Sequence, residues 1–277
     1  MTWDPGTYSK FAGERSRPFL DLVQRVQACW ARPDVAKEIV DLGCGTGERT
    51  AGLTDVWPQA RVTGIDSSPE MLSRARSIMA GHSAGDRLRF ELGDLQEWRS
   101  ARPVDVLVTN AALQWVPGHG DLLPGLVDSL APGGALGLQV PGNHAAPTHA
   151  LMRETVTDGP WADRLAPVVR GDENGVAVHT PAEYADILFR AGCEYVDAWE
   201  TTYLHVLDPE GEHGDDAVLA WVSGTALRPL LAALADEGQR QAFTDAYAAR
   251  LRAAYPRHPY GTPLPFRRIF AVGRRRH

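Results

Sequence analysis

Short runs of branched apolar residues recur along the first half of the chain, at 39–42, 62–65, 104–108 and 135–140. Runs this short and this rich in valine, isoleucine and leucine predict strands buried on both faces, as in a parallel sheet. Between them the apolar positions step by three and four. Thr50, Leu53 and Val56 predict a helix that opens near Glu48 and stops at Trp57-Pro58. Met71, Leu72, Ala75, Ile78 and Met79 predict a second, started by Ser68 as cap, Pro69 at the first position and Glu70 favouring the dipole. Leu88 to Leu92 alternates as a third strand, and Leu122 to Leu130 reads as a helix stopped by Ala131-Pro132-Gly133-Gly134. Strands alternating with helices in this way predict an α/β, Rossmann-like sheet, mostly parallel.

The alternation breaks after Val140. Residues 141–178 read as irregular chain around one or two short helices, including Leu151 to Val156. Thr180-Pro181-Ala182-Glu183 predicts a capped helix with Tyr184, Ile187 and Leu188 inward, ended by Gly192. Tyr195 to Leu207 is a long strand, and Phe266 to Val272 is the last one, expected to be antiparallel. Two helices are predicted between them, over 216–235 and 239–255, the second with Phe243, Tyr247 and Leu251 on one stripe. At the other end, 3–26 is amphipathic, with Phe11, Phe19, Leu20, Leu22, Val23 and Val26 at helical spacing. There is no internal repeat, low-complexity tract or linker. The expectation is therefore one domain over 1–277, with a core of about 35–142, 179–207 and 265–275. A helical cap is expected from about 1–30, 143–178 and 209–264.

Composition narrows the function classes. A chain of 277 residues with 44% hydrophobic content can bury a full core. Its net charge of −7 argues against a nucleic-acid partner. Arg274-Arg275-Arg276 is a local exception that reads as a solvated tail. The first residues lack a basic start and an apolar core, so no secretory signal is expected. No apolar run approaches the ~18 residues of a membrane helix. Cys29, Cys44 and Cys193 are odd in number and far apart, which suits a reducing cytoplasm. The nine histidines form no metal-ligand spacing; His144 and His149 are separated by Pro147. No Gly-x-Ser-x-Gly elbow and no P-loop lysine are present.

The candidate chemistry lies in Asp41-Leu42-Gly43-Cys44-Gly45-Thr46-Gly47, followed by Gly64-Ile65-Asp66. Glycines after a buried strand let a ligand approach bare backbone. A carboxylate ending the next strand can accept from both hydroxyls of a ribose. The spacing is G-x-G-x-G with Glu48 following, whereas a dinucleotide site wants G-x-G-x-x-G. The bland alternative is a strand, a glycine turn and a strand. For Cys44 the bland reading, a small side chain packed beside a ligand, is preferred to a nucleophile.

These motifs, with Leu130-Ala131-Pro132-Gly133-Gly134 before a strand, resemble the class I methyltransferases that use S-adenosyl-L-methionine and release S-adenosyl-L-homocysteine. The resemblance implies that Asp41, Gly43, Cys44 and Gly45 line the methionine end of the cofactor and that Asp66 with Ser67 holds the ribose. It further implies that Asp94 and Leu95 hold and cover the adenine, and that Asn110, at the carboxyl edge of the sheet, also binds the cofactor. For Asp94 the competing reading is a turn residue. The Asn/Asp-Pro-Pro-Tyr text of amino-directed methylases is absent after the fourth strand, which argues against that substrate class.

A second resemblance runs through nearly the whole chain. Trp3-Asp4-Pro5 with Tyr8, and Phe11 to Pro18, are similar to the opening of the trans-aconitate 2-methyltransferases. So are Asn110-Ala111 with Leu113-Gln114-Trp115, Pro147-Thr148-His149, Thr201-Thr202-Tyr203 with His205, and Leu227-Arg228-Pro229. Gly211 to Gly214 fits that family less well. The resemblance implies methylation of one carboxylate of a tricarboxylic acid, a small-molecule substrate, with no metal and no membrane partner. An N-terminal segment folded over the cofactor would bring Tyr8 and Arg15 to the ligands, with Trp115, Tyr203 and Arg228 as further substrate contacts. Arginine's planar fork matches a carboxylate best. Arg228 is favoured because it interrupts an apolar stretch; Arg17, Arg267 and Arg268 read as solvated. No catalytic base is expected, because a carboxylic acid is already ionised at neutral pH. A methyltransferase for another small oxygen or nitrogen acceptor, and an adenosine-binding or nicotinamide-dependent protein, remain as alternatives.

Overall fold

The computed structural model describes residues 12–30, 37–79, 81–173, 178–224 and 227–277, without the side chains of 12–15, 78–79 and 170–173. Two compact units divide it. One comprises Ala12–Pro141, Val178–Glu200 and Ile269–His277, and the other draws on Gly142–Ala177 and Thr201–Arg268.

The first unit holds most of a seven-stranded sheet. In chain order its elements are α1 (Ala12–Cys29), β1 (Glu38–Leu42), α2 (Glu48–Val56), β2 (Arg61–Asp66), α3 (Pro69–Met79), β3 (Leu88–Leu92), β4 (Val104–Asn110), α4 (Leu123–Asp128) and β5 (Leu130–Pro141). After α5 (Pro147–Thr157) and α6 (Ala162–Glu173) of the second unit come α7 (Pro181–Arg190) and β6 (Cys193–Leu207). The last strand, β7 (Thr262–Arg275), follows α8 (Ala217–Ser223), α9 (Leu227–Ala233) and α10 (Glu237–Ala254). The strand order is β3-β2-β1-β4-β5-β7-β6. The first five strands are parallel and the last ones antiparallel. Val40, Leu42, Leu107, Leu126, Leu136, Leu138 and Tyr184 share one core on the sheet. On the opposite side Gly137 lets α1 come close, since a Cβ there would sit 2.4 Å from Val26.

Local chemistry sets the helix ends. Ser68 Oγ accepts from the Met71 N–H at 3.2 Å, as a cap should. Thr180 and Glu183 form a reciprocal capping box at the start of α7, and Gly192 (φ 96°) follows that helix. Tyr184 is fully buried, its hydroxyl 2.7 Å from His119 Nε2.

The second unit is built on α5 (Pro147–Thr157), α6 (Ala162–Glu173), α8 (Ala217–Ser223), α9 (Leu227–Ala233) and α10 (Glu237–Ala254). Its core joins Met152, Trp161 and Leu165 to Trp221, Leu230, Phe243, Tyr247 and Leu251. Tyr247 Oη donates to the Thr148 carbonyl at 2.8 Å, which fixes the start of α5 against α10. Among the described residues no helix is long and apolar enough to cross a membrane.

Several expectations change. Helix α1 spans Ala12–Cys29, and Leu20 is 61% exposed while Phe19, Leu22, Val23 and Val26 are buried. The one or two short helices expected after β5 are two, Pro147–Thr157 and Ala162–Glu173, and longer than expected, while the region 216–235 is two short helices, not one. Strand β5 begins at Leu130, so Pro132-Gly133-Gly134 lies within it and is not a helix stop. Arg268 is only 6% exposed, its guanidinium 4.5 Å above the Phe266 ring, so it is no solvated residue. Nor is Arg267, whose Nη1 donates to the Gly142 carbonyl at 3.3 Å. The arginine tail is also anchored. Arg274 donates to the Cys29 carbonyl at the end of α1 and to Glu194, and Arg275 donates to the Asp128 carbonyl at the end of α4 and to the Leu130 carbonyl at the start of β5. Cations there satisfy the orphan carbonyls of two helix C-termini.

Candidate active site

The loop after β1 is held to the end of β2, for the Gly43 and Cys44 N–H groups both donate to the Ile65 carbonyl, at 2.7 and 3.0 Å. Its glycines all have positive φ, 79° at Gly43, 57° at Gly45 and 83° at Gly47. Their surroundings differ. A Cβ on Gly43 would meet Ala112 Cβ at 2.3 Å, and Leu95 Cδ1 lies 3.5 Å from the same point. A Cβ on Gly47 would meet Phe90 Cζ at 2.6 Å and Ala75 Cβ at 2.8 Å. Gly47 therefore supplies close packing at the start of α2. Around Gly45 nothing lies within 4 Å. Of the three, Gly45 is where bare backbone faces open space.

Asp66 is bound to that loop. Its Oδ2 accepts from the Gly45 N–H and its Oδ1 from the Ser68 N–H, both at 2.9 Å. A carboxylate has about four lone-pair sites, so acceptor capacity remains for ligand hydroxyls. Asp41 is 2% exposed, and its Oδ2 accepts from the Thr50 hydroxyl at 2.6 Å. Burial pushes its carboxyl up to about 6 despite that hydrogen bond. Burial, and then the two neighbouring acids Asp41 and Asp66, push the Cys44 thiol far above its ordinary value. It is a protonated, inert group.

Asp94 is exposed and its Oδ1 accepts from the Gln96 N–H at 2.8 Å, so the turn reading holds for that oxygen. Ser67 is exposed beside Asp66, and Leu95 lies against the Gly43 turn. Past β4 the chain turns through Ala111 at φ 53°. Ala111 donates to the Gln139 carbonyl at 2.9 Å and its own carbonyl accepts from Gln114 Nε2 at 2.7 Å. Several buried polar atoms here have no partner among the described residues: Thr109 Oγ1, Asn110 Oδ1, Gln114 Oε1 and both amide atoms of Gln139. Unmet buried atoms of this kind call for a partner outside the protein, such as ordered water or a ligand. Gln139 was not singled out in the sequence, though a glutamine inside Leu136-Gly137-Leu138-Gln139-Val140 was a visible signal. Trp115, 39% exposed, follows this turn.

In the second unit Tyr203 is 3% exposed and His205 5%. The His205 ring stacks on Trp221 at 5.1 Å and tilts against Phe266 at 5.7 Å. Arg228 lies on α9 between buried Leu227 and Leu230, and its Nη1 is buried without a partner among the described residues. Burial pushes His149 down to about 4, with His144 and Arg153 adding to the effect. Tyr8 and the Arg15 side chain lie outside the described residues. Among the described residues no group of three or more His, Cys, Asp or Glu is placed to hold a metal ion.

The methyltransferase domain family matches residues 39–134, the stretch that carries the loop, Asp66, Asp94 and Asn110. Similarity to curated relatives extends much further. A trans-aconitate 2-methyltransferase of Streptomyces coelicolor is 54% identical over 275 residues, covering 99% of this chain and 87% of the relative. The chain belongs to the trans-aconitate 2-methyltransferase family. A second member, from Streptomyces avermitilis, is 48% identical over 98% of this chain and 96% of its own. Among solved structures, a Haemonchus contortus phosphoethanolamine N-methyltransferase in complex with phosphomonomethylethanolamine and S-adenosylhomocysteine superposes with a TM-score of 0.55 at 14% identity. It covers 93% of this chain and 52% of that one, a likeness of fold. This member of the trans-aconitate 2-methyltransferase family carries the glycine loop in its first unit and Arg228 in its second.

Proposed function

We propose that this protein transfers the methyl group of S-adenosyl-L-methionine to one carboxylate of trans-aconitate, giving the monomethyl ester and S-adenosyl-L-homocysteine. The observation that carries the substrate class is Arg228 Nη1, buried with no partner among the described residues. A guanidinium nitrogen removed from water is costly unless an anion meets it. A carboxylate is the planar group that fits it best. Relatives at 54% and 48% identity bear the trans-aconitate name.

The first unit fits the cofactor. Asp66 would hold the ribose, the open backbone at Gly45 would lie against the chain leading to the sulfonium, and Leu95 would cover the adenine beside Asp94. When bound, S-adenosyl-L-methionine supplies a methyl group on a sulfonium, open to in-line attack by an oxygen. The second unit would grip the substrate through Arg228, with Tyr203 as a further contact. Tyr8, Arg15 and Trp115 would complete the two sites.

The protein's task is then positioning, which can supply roughly 7–11 kcal/mol when the reacting atoms are held near attack. Arginine held on a non-reacting carboxylate serves that end. Exclusion of water also sharpens a carboxylate that hydration would blunt. No proton has to move. A phenol or ammonium acceptor would differ, because it must first lose a proton to a tuned base.

The rate of the chemical step should therefore be nearly independent of pH between about 6.5 and 9, well above a carboxylic acid's pKa. Single-turnover kinetics with both ligands saturating measures it. A tenfold rise per pH unit, lost in His149→Gln or His205→Gln, would show a titrating base and an acceptor that is not a carboxylate.

A further inference from the structure

Arg228 can hold one carboxylate, but a tricarboxylate has two besides the one that reacts. A carboxylate taken out of water without a partner is costly. The second unit holds a further group of bases that neither the glycine loop nor Arg228 uses. It lies at the start of α5, on the Pro147-Thr148-His149 text, shortly after β5 ends at Pro141.

Thr148 is pinned to α10 through its backbone. Its N–H donates to Tyr255 Oη at 3.2 Å, and its carbonyl accepts from Tyr247 Oη at 2.8 Å. Its side chain fixes the next residue, for Thr148 Oγ1 lies 3.1 Å from His149 Nδ1. With the hydroxyl donating to Nδ1, the single ring proton sits on Nε2. That nitrogen makes no hydrogen bond among the described residues. Burial, and then His144 and Arg153, hold the imidazole at about 4, so it is neutral at pH 7. Arg153 is one turn further along the same face of α5. Its Nη2 donates to the His144 carbonyl at 3.0 Å, which folds the guanidinium back toward the helix start.

The acids that follow on α5 do not answer these bases. Glu154 and Asp158 are bound by Arg250 of α10, at 3.3 and 2.7 Å. Among the described residues no carboxylate figures in the electrostatics of His149. In a chain of net charge −7, donors gathered beside local positive charge suit an anion. The core that anchors α5 through Met152 also contains Leu227 and Leu230, which flank Arg228 on α9. One block therefore carries both groups.

Building on the substrate reading above, we infer that His149 and Arg153 bind a second carboxylate of trans-aconitate, His149 through its Nε2–H and Arg153 through its guanidinium. Arg228 holds one non-reacting carboxylate, this pair holds the other, and the third is left to attack the methyl group. A single grip would let a small acid pivot. Two grips fix its orientation, so the pair also selects which carboxylate is esterified.

The test uses three acids that each lack one carboxylate of trans-aconitate: itaconate, glutaconate and mesaconate. In His149→Leu, calorimetric affinity for trans-aconitate should fall roughly ten- to a hundredfold. One of the three dicarboxylates, the one without the carboxylate that His149 holds, should bind as it does to wild type. The methyl label should spread over more than one carboxylate of trans-aconitate, while affinity for S-adenosylhomocysteine stays level. His149→Gln, whose amide nitrogen can stand where Nε2 does, should restore affinity and the single ester. Arg153→Gln should spare the same dicarboxylate as His149→Leu, and it carries the comparison alone should the leucine variant not fold. Unchanged affinity for trans-aconitate in both variants overturns the assignment. So does equal loss of trans-aconitate and all three dicarboxylates, the mark of a structural role at the start of α5. A wild-type protein that binds S-adenosylhomocysteine but none of the four acids overturns the substrate reading as well.

Discussion

Gly45→Leu should abolish binding of S-adenosyl-L-methionine while the protein stays folded. Nothing lies within 4 Å of the Cβ it would carry, so the new side chain meets no protein atom near its root. The cost to the fold is backbone strain at φ 57°, about 1–2 kcal/mol for a residue that is not β-branched. The side chain would then fill the space proposed for the cofactor. Calorimetry should show no binding, and circular dichroism should show the native spectrum. The contrasting variant is Gly47→Ala. Its Cβ would fall 2.6 Å from Phe90 and 2.8 Å from Ala75, so the loss should appear first in melting temperature. Native cofactor affinity in Gly45→Leu would remove the loop from the site.

Arg228→Met should damage substrate recognition with equal selectivity. It keeps an apolar stem between Leu227 and Leu230 and removes the guanidinium whose Nη1 is buried. Losing the partner of a buried charge typically costs about 2–5 kcal/mol of binding. That corresponds to a rise in the trans-aconitate KM or Kd of roughly 30-fold to several thousand-fold. Cofactor affinity should not change. The ligand-free protein should be as stable as wild type or more so, because an unmet donor has been removed from its interior. Equal loss of cofactor and substrate binding would mean that the variant had disturbed the helical unit as a whole.

These two residues show what a sequence makes legible. The strands of the sheet announce themselves through valine, isoleucine and leucine, and the capping text at Ser68-Pro69-Glu70 and Thr180 to Glu183 marks helix starts that the structure contains. The stripe Phe243, Tyr247 and Leu251 is buried throughout. Of helix α5 only Leu151 to Val156 was legible, because its buried face includes Thr148 and Thr155 beside Met152 and Val156. Threonine in that company weakens an apolar period, and long-range partners such as Tyr247 supply the compensation. Pro132-Gly133-Gly134 reads as a stop by composition, yet it continues a strand in which Gly133 takes φ 75°.

Charged and polar residues were read least well, for one reason. Arg268, Arg274 and Arg275 are judged locally as solvated, but their environment is set by chain far away in sequence, such as the Cys29 carbonyl for Arg274. Gln139 was passed over within a core strand, although a lone amide among Leu136, Leu138 and Val140 is where a buried polar requirement shows itself. Spacing identifies the three loop glycines as a motif. It does not distinguish Gly47, needed for packing against Phe90, from Gly45, open to a ligand.

The account's central claim is that a carboxylate of trans-aconitate is the methyl acceptor. Incubation with methyl-labelled S-adenosyl-L-methionine and a panel of di- and tricarboxylic acids, with phenols and amines as controls, tests it most directly. Mass spectrometry of the products should find label in a monomethyl ester that mild alkali releases as methanol, with trans-aconitate the preferred acceptor and the phenols and amines unlabelled. Alkali-stable label on a phenol or an amine, with the tricarboxylic acids unreacted, would contradict it.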